Sequence, residues 1–305
     1  MPRAMNQLAD PALTPPTFAI GTGRCGTHFV AHLLAREPSV AAHHERDPLG
    51  DSFHRYCVWN RLPVDDAGFL AAKTAGIAAD RARGRLSFEA STFVSLSAPV
   101  LHAELRARFI LMIRRPDRVV NSFLHKGWYA DEPARRDARL ALGHQPGLPR
   151  AHHAFSRLAA FGDDGERWAR LSRIGKLAYF WRQLNEAVLR DFARLPREAT
   201  RVQQLERLDF DGYAVLAEFI GFEPSLSRRA FERISAEKPG TRGAAPSVRD
   251  WNASEAAEFE LEVGPLAERL GYAFRVAELR CEPEHAAPAP SLAERLRGLL
   301  GARTG

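Results

Sequence analysis

Apolar positions along this chain follow two alternating periods. Thr17–Ile20 is a short β-prone run, and residues 39–43, 85–91 and 200–205 carry the same signal. Phe109 to Ile113 is apolar without a break, the pattern of a parallel strand buried on both faces. Helical spacing fills the intervals. It begins at Thr27 with Phe29, Val30, Leu33 and Leu34, and it returns over 51–62, 64–83, 96–106, 119–124, 174–195 and 213–220. A last helix over 254–270 is expected to end at Gly271 as its C-cap. Strand and helix in alternation predict crossover units and a parallel sheet. The fold class is therefore α/β: a three-layer α/β/α arrangement with a central, mainly parallel sheet flanked by helices. Residues 128–164 break the rhythm and are expected to form an irregular insertion over one face of the sheet. One domain over 17–282 is expected, after a flexible stretch 1–16 and before a Pro/Ala-rich tail 283–305 in which 291–300 has short-helix spacing.

Composition narrows this little. At 305 residues, 45% hydrophobic and 26% charged, the chain has the make-up of a globular protein with a full core. Its net charge of +6 favours anionic ligands. Only four of the 43 cationic residues are lysine, and no series of stacking aromatics accompanies the arginines, so a nucleic-acid partner is not expected. Cys25, Cys57 and Cys281 are too scattered for a disulfide framework or a zinc site, which points to a reducing compartment. His125, His144, His152 and His153 lack metal-ligand spacing, so no metal is expected. The first 16 residues are polar and broken by proline, without the apolar core of a signal peptide, and no apolar run has membrane-spanning length. A cytoplasmic location is the expectation.

The chemistry begins after the first strand. Gly21, Gly23 and Gly26 fall within six residues, directly before the first helix. Strand, glycine turn and helix start present backbone N–H groups and a positive helix end to an anion. The Gly21 to Gly26 spacing is that of the P-loop, G-x-x-x-x-G-K-[ST], yet Thr27 and His28 stand where Lys and Ser/Thr would hold phosphate and Mg²⁺. The cation has moved inside the loop, to Arg24. A second cationic element follows the buried strand: Arg114 stands at its end and Ser122 eight residues later. A guanidinium fork and a hydroxyl so spaced can converge on one phosphate.

With both elements in hand, the chain resembles the PAPS-dependent sulfotransferases of the P-loop fold. Gly21 to Thr27 resembles their 5′-phosphosulfate loop, G-x-x-R-S-G-T-T in bacterial members, and Arg114 to Ser122 their 3′-phosphate motif, R-[DN]-P-x-x-x-x-x-S. Leu205 to Leu208 is similar to the family's Y-E-D-L segment, and residues 238–242 resemble a late basic glycine loop. Three positions depart from the pattern: Cys25 replaces Ser, His28 replaces Thr, and Arg115 replaces Asp or Asn. The Cys25 thiol, on a loop at a helix start, is expected to have a lowered pKa.

The resemblance implies transfer of a sulfuryl group from PAPS (3′-phosphoadenosine 5′-phosphosulfate), with PAP as product and no metal. Backbone amides from Gly23 through Arg24, Cys25, Gly26 and Thr27 to His28, with the Thr27 hydroxyl, would hold the 5′-phosphate. Arg114 and Ser122 would hold the 3′-phosphate, and Arg24 would stabilise the leaving phosphate. Glu45, at the end of the second strand and so beside the loop strand, is the first candidate for the base. His44 or His43 comes next, strand alternation pointing His44 away from His43 and Glu45. The acceptor would be a carbohydrate, a lipid or a small hydroxylated molecule. A P-loop kinase or NTPase is the alternative, as is a nucleotide-binding protein of this fold that has lost catalysis.

Overall fold

The computed structural model describes residues 10–130, 155, 157–237 and 246–281. Its strands are β1 (Thr17–Ile20), β2 (Val40–His44), β3 (Leu86–Ala90), β4 (Arg108–Ile113) and β5 (Thr200–Gln204). They form one sheet in the order β2-β3-β1-β4-β5, parallel at every pairing. The α/β class and parallel sheet are as the periodicity predicts. The expected neighbour of β1 is not: β3, rather than β2, pairs with it on that side. Burial gives the reason, since β3 is buried along its whole length while β2 becomes progressively exposed toward His44, as suits an edge.

Helices among the described residues are α1 (Thr27–Leu34), α2 (Pro48–Trp59), α3 (Asp66–Arg81), α4 (Ala98–Leu105), α5 (Pro116–His125), α6 (Asp163–Arg170), α7 (Arg173–Phe192), α8 (Phe210–Ile220), α9 (Arg228–Ala236), α10 (Ala253–Leu270) and α11 (Val276–Cys281). The pleat of the sheet divides the core in two. Phe18, Ile20, Phe109, Leu111 and Ile113 point to one face, packed by α3, α4, α5, α7 and α10. Ala19, Ile110 and Met112 point to the other, covered by α1, α8 and α9. Side chains alternating across strands produce this division directly, and the three layers are complete.

Most predicted boundaries fall within two residues of the observed ones, and Gly271 caps α10 at φ 71 as expected. Two kinds of difference have physical causes. Helix α2 begins earlier than its apolar spacing indicates, because Asp47 caps it, accepting from Gly50 N at 3.1 Å, and Pro48 occupies its first turn. Helices α6, α9 and α11 bury only one or two side chains each, too few to give a readable period. The tail, residues 238–245 with Lys238 and Arg242, and most of the expected insertion lie outside the described residues. No described helix is long and apolar enough to cross a membrane.

Candidate functional site

All five strands run the same way, so their carboxyl ends share one edge of the sheet, where open α/β folds gather ligand-binding segments. The glycine loop leaves β1 there. Its turns need glycine: a Cβ on Gly21 would lie 2.5 Å from the Met112 carbonyl oxygen, and one on Gly26, at φ 99, would lie 2.5 Å from Leu205 Cδ1. Arg24 is a non-glycine residue in the left-handed region, at φ 57. Gly26 caps α1 with no side-chain hydrogen bond, and the first turn holds no acidic residue, so its amides face the loop without a side-chain cap.

The two cationic motifs meet although the chain separates them widely. Arg24 Nε donates to Ser122 Oγ at 2.7 Å, and Arg114 Nη1 donates to the Arg24 carbonyl at 3.2 Å. Burial lowers the pKa of both guanidiniums from its ordinary value; at Arg114 the Glu206 and Asp117 carboxylates oppose the shift, while Arg118 and Arg24 add to it. Positive charge crowded in this way favours an anion. Neighbouring elements fix the junction. Trp181 Nε1 donates to the Arg114 carbonyl at 3.1 Å, and Glu206 accepts from Arg115 N at 2.8 Å and from the Tyr272 hydroxyl at 3.0 Å. Arg115 itself turns aside to Asp117, at 2.6 and 2.9 Å.

Cys25 differs from its expectation. The thiol is buried beneath the loop, its sulfur 2.7 Å from where a Gly21 Cβ would stand. Burial pushes its pKa up, against the opposing pull of loop N–H groups and the Thr22 hydroxyl. A helix start lowers a thiol pKa only when the sulfur is also solvated, and this one is not.

The second strand's end brings further groups to the loop. Glu45 takes a left-handed conformation, φ 49, and so leaves the strand alternation. His43 points away to Asp80, at 2.9 Å, while the His44 and His28 rings meet at 5.1 Å. The expectation that His44 and Glu45 face opposite ways assumed strand alternation, which Glu45 does not follow. Burial of part of the side chain and the neighbouring His28 push His44 down to about 4, although the residue as a whole is exposed. Burial raises Glu45, with the Thr92 hydrogen bond and the Arg55 charge opposing.

Of the predicted residues, Gly23, Arg24, Cys25, Gly26, Thr27 and His28 form the loop and helix start, with Arg114, Ser122, His44 and Glu45 around them; only His43 points elsewhere. Arg55, which the sequence offers only as a possible ion partner of Glu45, is 1% exposed, donates through Nη1 to the Thr92 carbonyl at 2.9 Å and lies over the Phe93 ring. The sequence reading missed Thr92, whose hydroxyl reaches Glu45. No motif flags Thr92. Glu206 was legible only through the resemblance of its segment. Among the described residues no group of three His, Cys, Asp or Glu side chains is placed to hold a metal. A cleft of about 620 Å³ between α2 and α7, lined by Trp59, Phe161, Tyr179 and Arg190 among others, includes none of these site residues.

Among solved structures the chain is similar to the sulfotransferase domain from the curacin biosynthetic pathway, at 13% identity and a TM-score of 0.50, over 86% of this chain and 99% of that one. It is also similar to the sulfotransferase domain from the Synechococcus PCC 7002 olefin synthase, at 15% identity and a TM-score of 0.46, over 88% and 99%. No protein-family model and no curated protein matches the sequence. At these identities the likeness concerns the fold: the chain has a sulfotransferase fold.

Proposed function

We propose that the protein is a sulfotransferase that moves a sulfuryl group from PAPS to a hydroxyl or amine of an acceptor, releasing PAP. One observation carries the reading: Arg24, Arg114 and Ser122, from two separate motifs, meet at the carboxyl ends of β1 and β4 through hydrogen bonds of 2.7 and 3.2 Å. The residues fit a donor with anions at both ends. The first-turn amides of α1, free of a side-chain cap, and the Thr27 hydroxyl would hold the 5′-phosphate. Arg114 and Ser122 would hold the 3′-phosphate.

PAPS, when bound, supplies the sulfuryl group on the bridging oxygen of its 5′-phosphosulfate. Glu45 takes the acceptor proton as the new sulfur–oxygen (or sulfur–nitrogen) bond forms and the bond to the bridging oxygen breaks. Arg24 stabilises the charge that the leaving phosphate gains, a contribution typically of a few kcal/mol. Thr27 and His28 stand in place of the Lys and Ser/Thr of a nucleoside triphosphatase, which disfavours that alternative.

The test is transfer of labelled sulfate from PAPS into a fractionated cell extract, with the product identified. The expected outcome is a labelled product that also forms with EDTA present. Mg²⁺-dependent ATP turnover with no sulfate transfer would contradict the reading.

A further inference from the structure

The 3-10 turn Thr92–Val94 belongs to neither cationic motif, yet it touches both halves of the site. The Thr92 hydroxyl donates to Glu45 Oε1 at 3.1 Å. The Thr92 carbonyl accepts from Arg55 Nη1 at 2.9 Å and lies 2.7 Å from Ser95 Oγ. That same Ser95 oxygen lies 2.7 Å from the Gly21 carbonyl and accepts from Gly21 N at 3.2 Å, its single proton serving one carbonyl at a time. Thr92 Cγ2 stands 3.8 Å from where a Gly23 Cβ would be. One short turn therefore spans the glycine loop and the Glu45 carboxylate. The turn has its own cap, since Ser91 Oγ accepts from Phe93 N at 3.3 Å, so the Thr92 hydroxyl is left for Glu45.

We propose that Thr92 is a positioning residue for sulfuryl transfer: its hydroxyl aims the Glu45 carboxylate, while its backbone, held by Arg55 and Ser95, ties that carboxylate to the donor loop. This rests on the reading of Glu45 as the base. The groups that act on Glu45 come from four elements: Arg55 from α2, Glu89 from β3, His28 from α1 and Thr92 from the turn. Thr92 is the uncharged hydrogen-bond donor of this set. A hydroxyl donated to a carboxylate favours the ionised form, so its loss leaves burial less opposed.

Thr92→Val keeps the shape and removes the donor; Thr92→Ser keeps the donor. The readouts are the Glu45 carboxyl ¹³C titration in the free protein, assigned with Glu45→Gln, together with kcat against pH and PAP affinity by calorimetry. In Thr92→Val the Glu45 midpoint should rise by about one pH unit, the acid limb of kcat should move with it, and kcat at its plateau should fall about tenfold. PAP affinity should stay within about twofold, and Thr92→Ser should recover the wild-type midpoint. A Thr92→Val protein with an unshifted Glu45 midpoint overturns the proposal. So does a Thr92→Ser protein that behaves as Thr92→Val, or a loss confined to PAP affinity. If Glu45→Gln proves active, the base assignment fails, while the carboxyl titration still decides whether Thr92 holds Glu45.

Discussion

Glu45 and Glu89 are carboxylates at neighbouring strand ends, and their partners separate their roles. Glu89 is buried against Lys73, at 2.9 and 3.1 Å, and accepts from Arg46 N at 3.2 Å. Its charge is balanced within the fold. Glu45 has a threonine hydroxyl and the field of Arg55, and burial raises its pKa. A base must be ionised, so activity should fall as pH drops through the pKa of Glu45, which burial raises from its ordinary value. His44, pushed down to about 4, is uncharged at neutral pH and a weak proton acceptor. Glu45→Gln should therefore lower kcat by about 10²–10⁴ in a transfer assay and leave PAP affinity nearly unchanged. Near-wild-type turnover would move the role to His44. At this scale the sequence pointed to Arg24 in the glycine loop, to Arg114 and Glu45 at strand ends and to Ser122 on the helix after β4, because motif spacing singles out each of them. It could not show Thr92, an ordinary residue type whose importance lies in what it touches, and it offered Arg55 only as a possible ion partner of Glu45. It misjudged Cys25 because spacing does not say which way a side chain points.

Elements around the site are tied by charge as well as packing. Lys73 of α3 is buried between Asp51 of α2, at 2.6 Å, and Glu89 of β3. Lys73→Met would leave two buried carboxylates without their cation and should destabilise the protein by about 3–5 kcal/mol in urea unfolding. An unchanged midpoint would mean that the carboxyls neutralise by protonation at little cost. Burial raises Asp51, with Lys73 opposing. The folded chain therefore holds the Asp51 proton at pH values where the unfolded chain has released it. Its contribution to stability falls as pH rises from the ordinary carboxylate value to the raised one. Strands and long helices were legible because each buries a whole face. The start of α2 was written in Asp47 and Pro48, a capping signal that apolar periodicity alone passes over.

For the molecule as a whole, alternation of strands and helices announced a parallel sheet without announcing its order. Strand order depends on which crossover packs where, and β3 enters between β2 and β1. Glu45 still reaches the loop across that extra strand, through Thr92 of the turn after β3. The convergence of all five strand ends makes one site out of segments dispersed from Gly21 to Glu206. The account depends on that site recognising two anions on one nucleotide. Calorimetry with adenosine 3′,5′-bisphosphate and with AMP tests this directly. The bisphosphate should bind at least about tenfold tighter, each tenfold step being about 1.4 kcal/mol. The preference should disappear in Arg114→Ala while circular dichroism remains that of the wild type. Equal affinity of the wild-type protein for the two nucleotides would contradict the account.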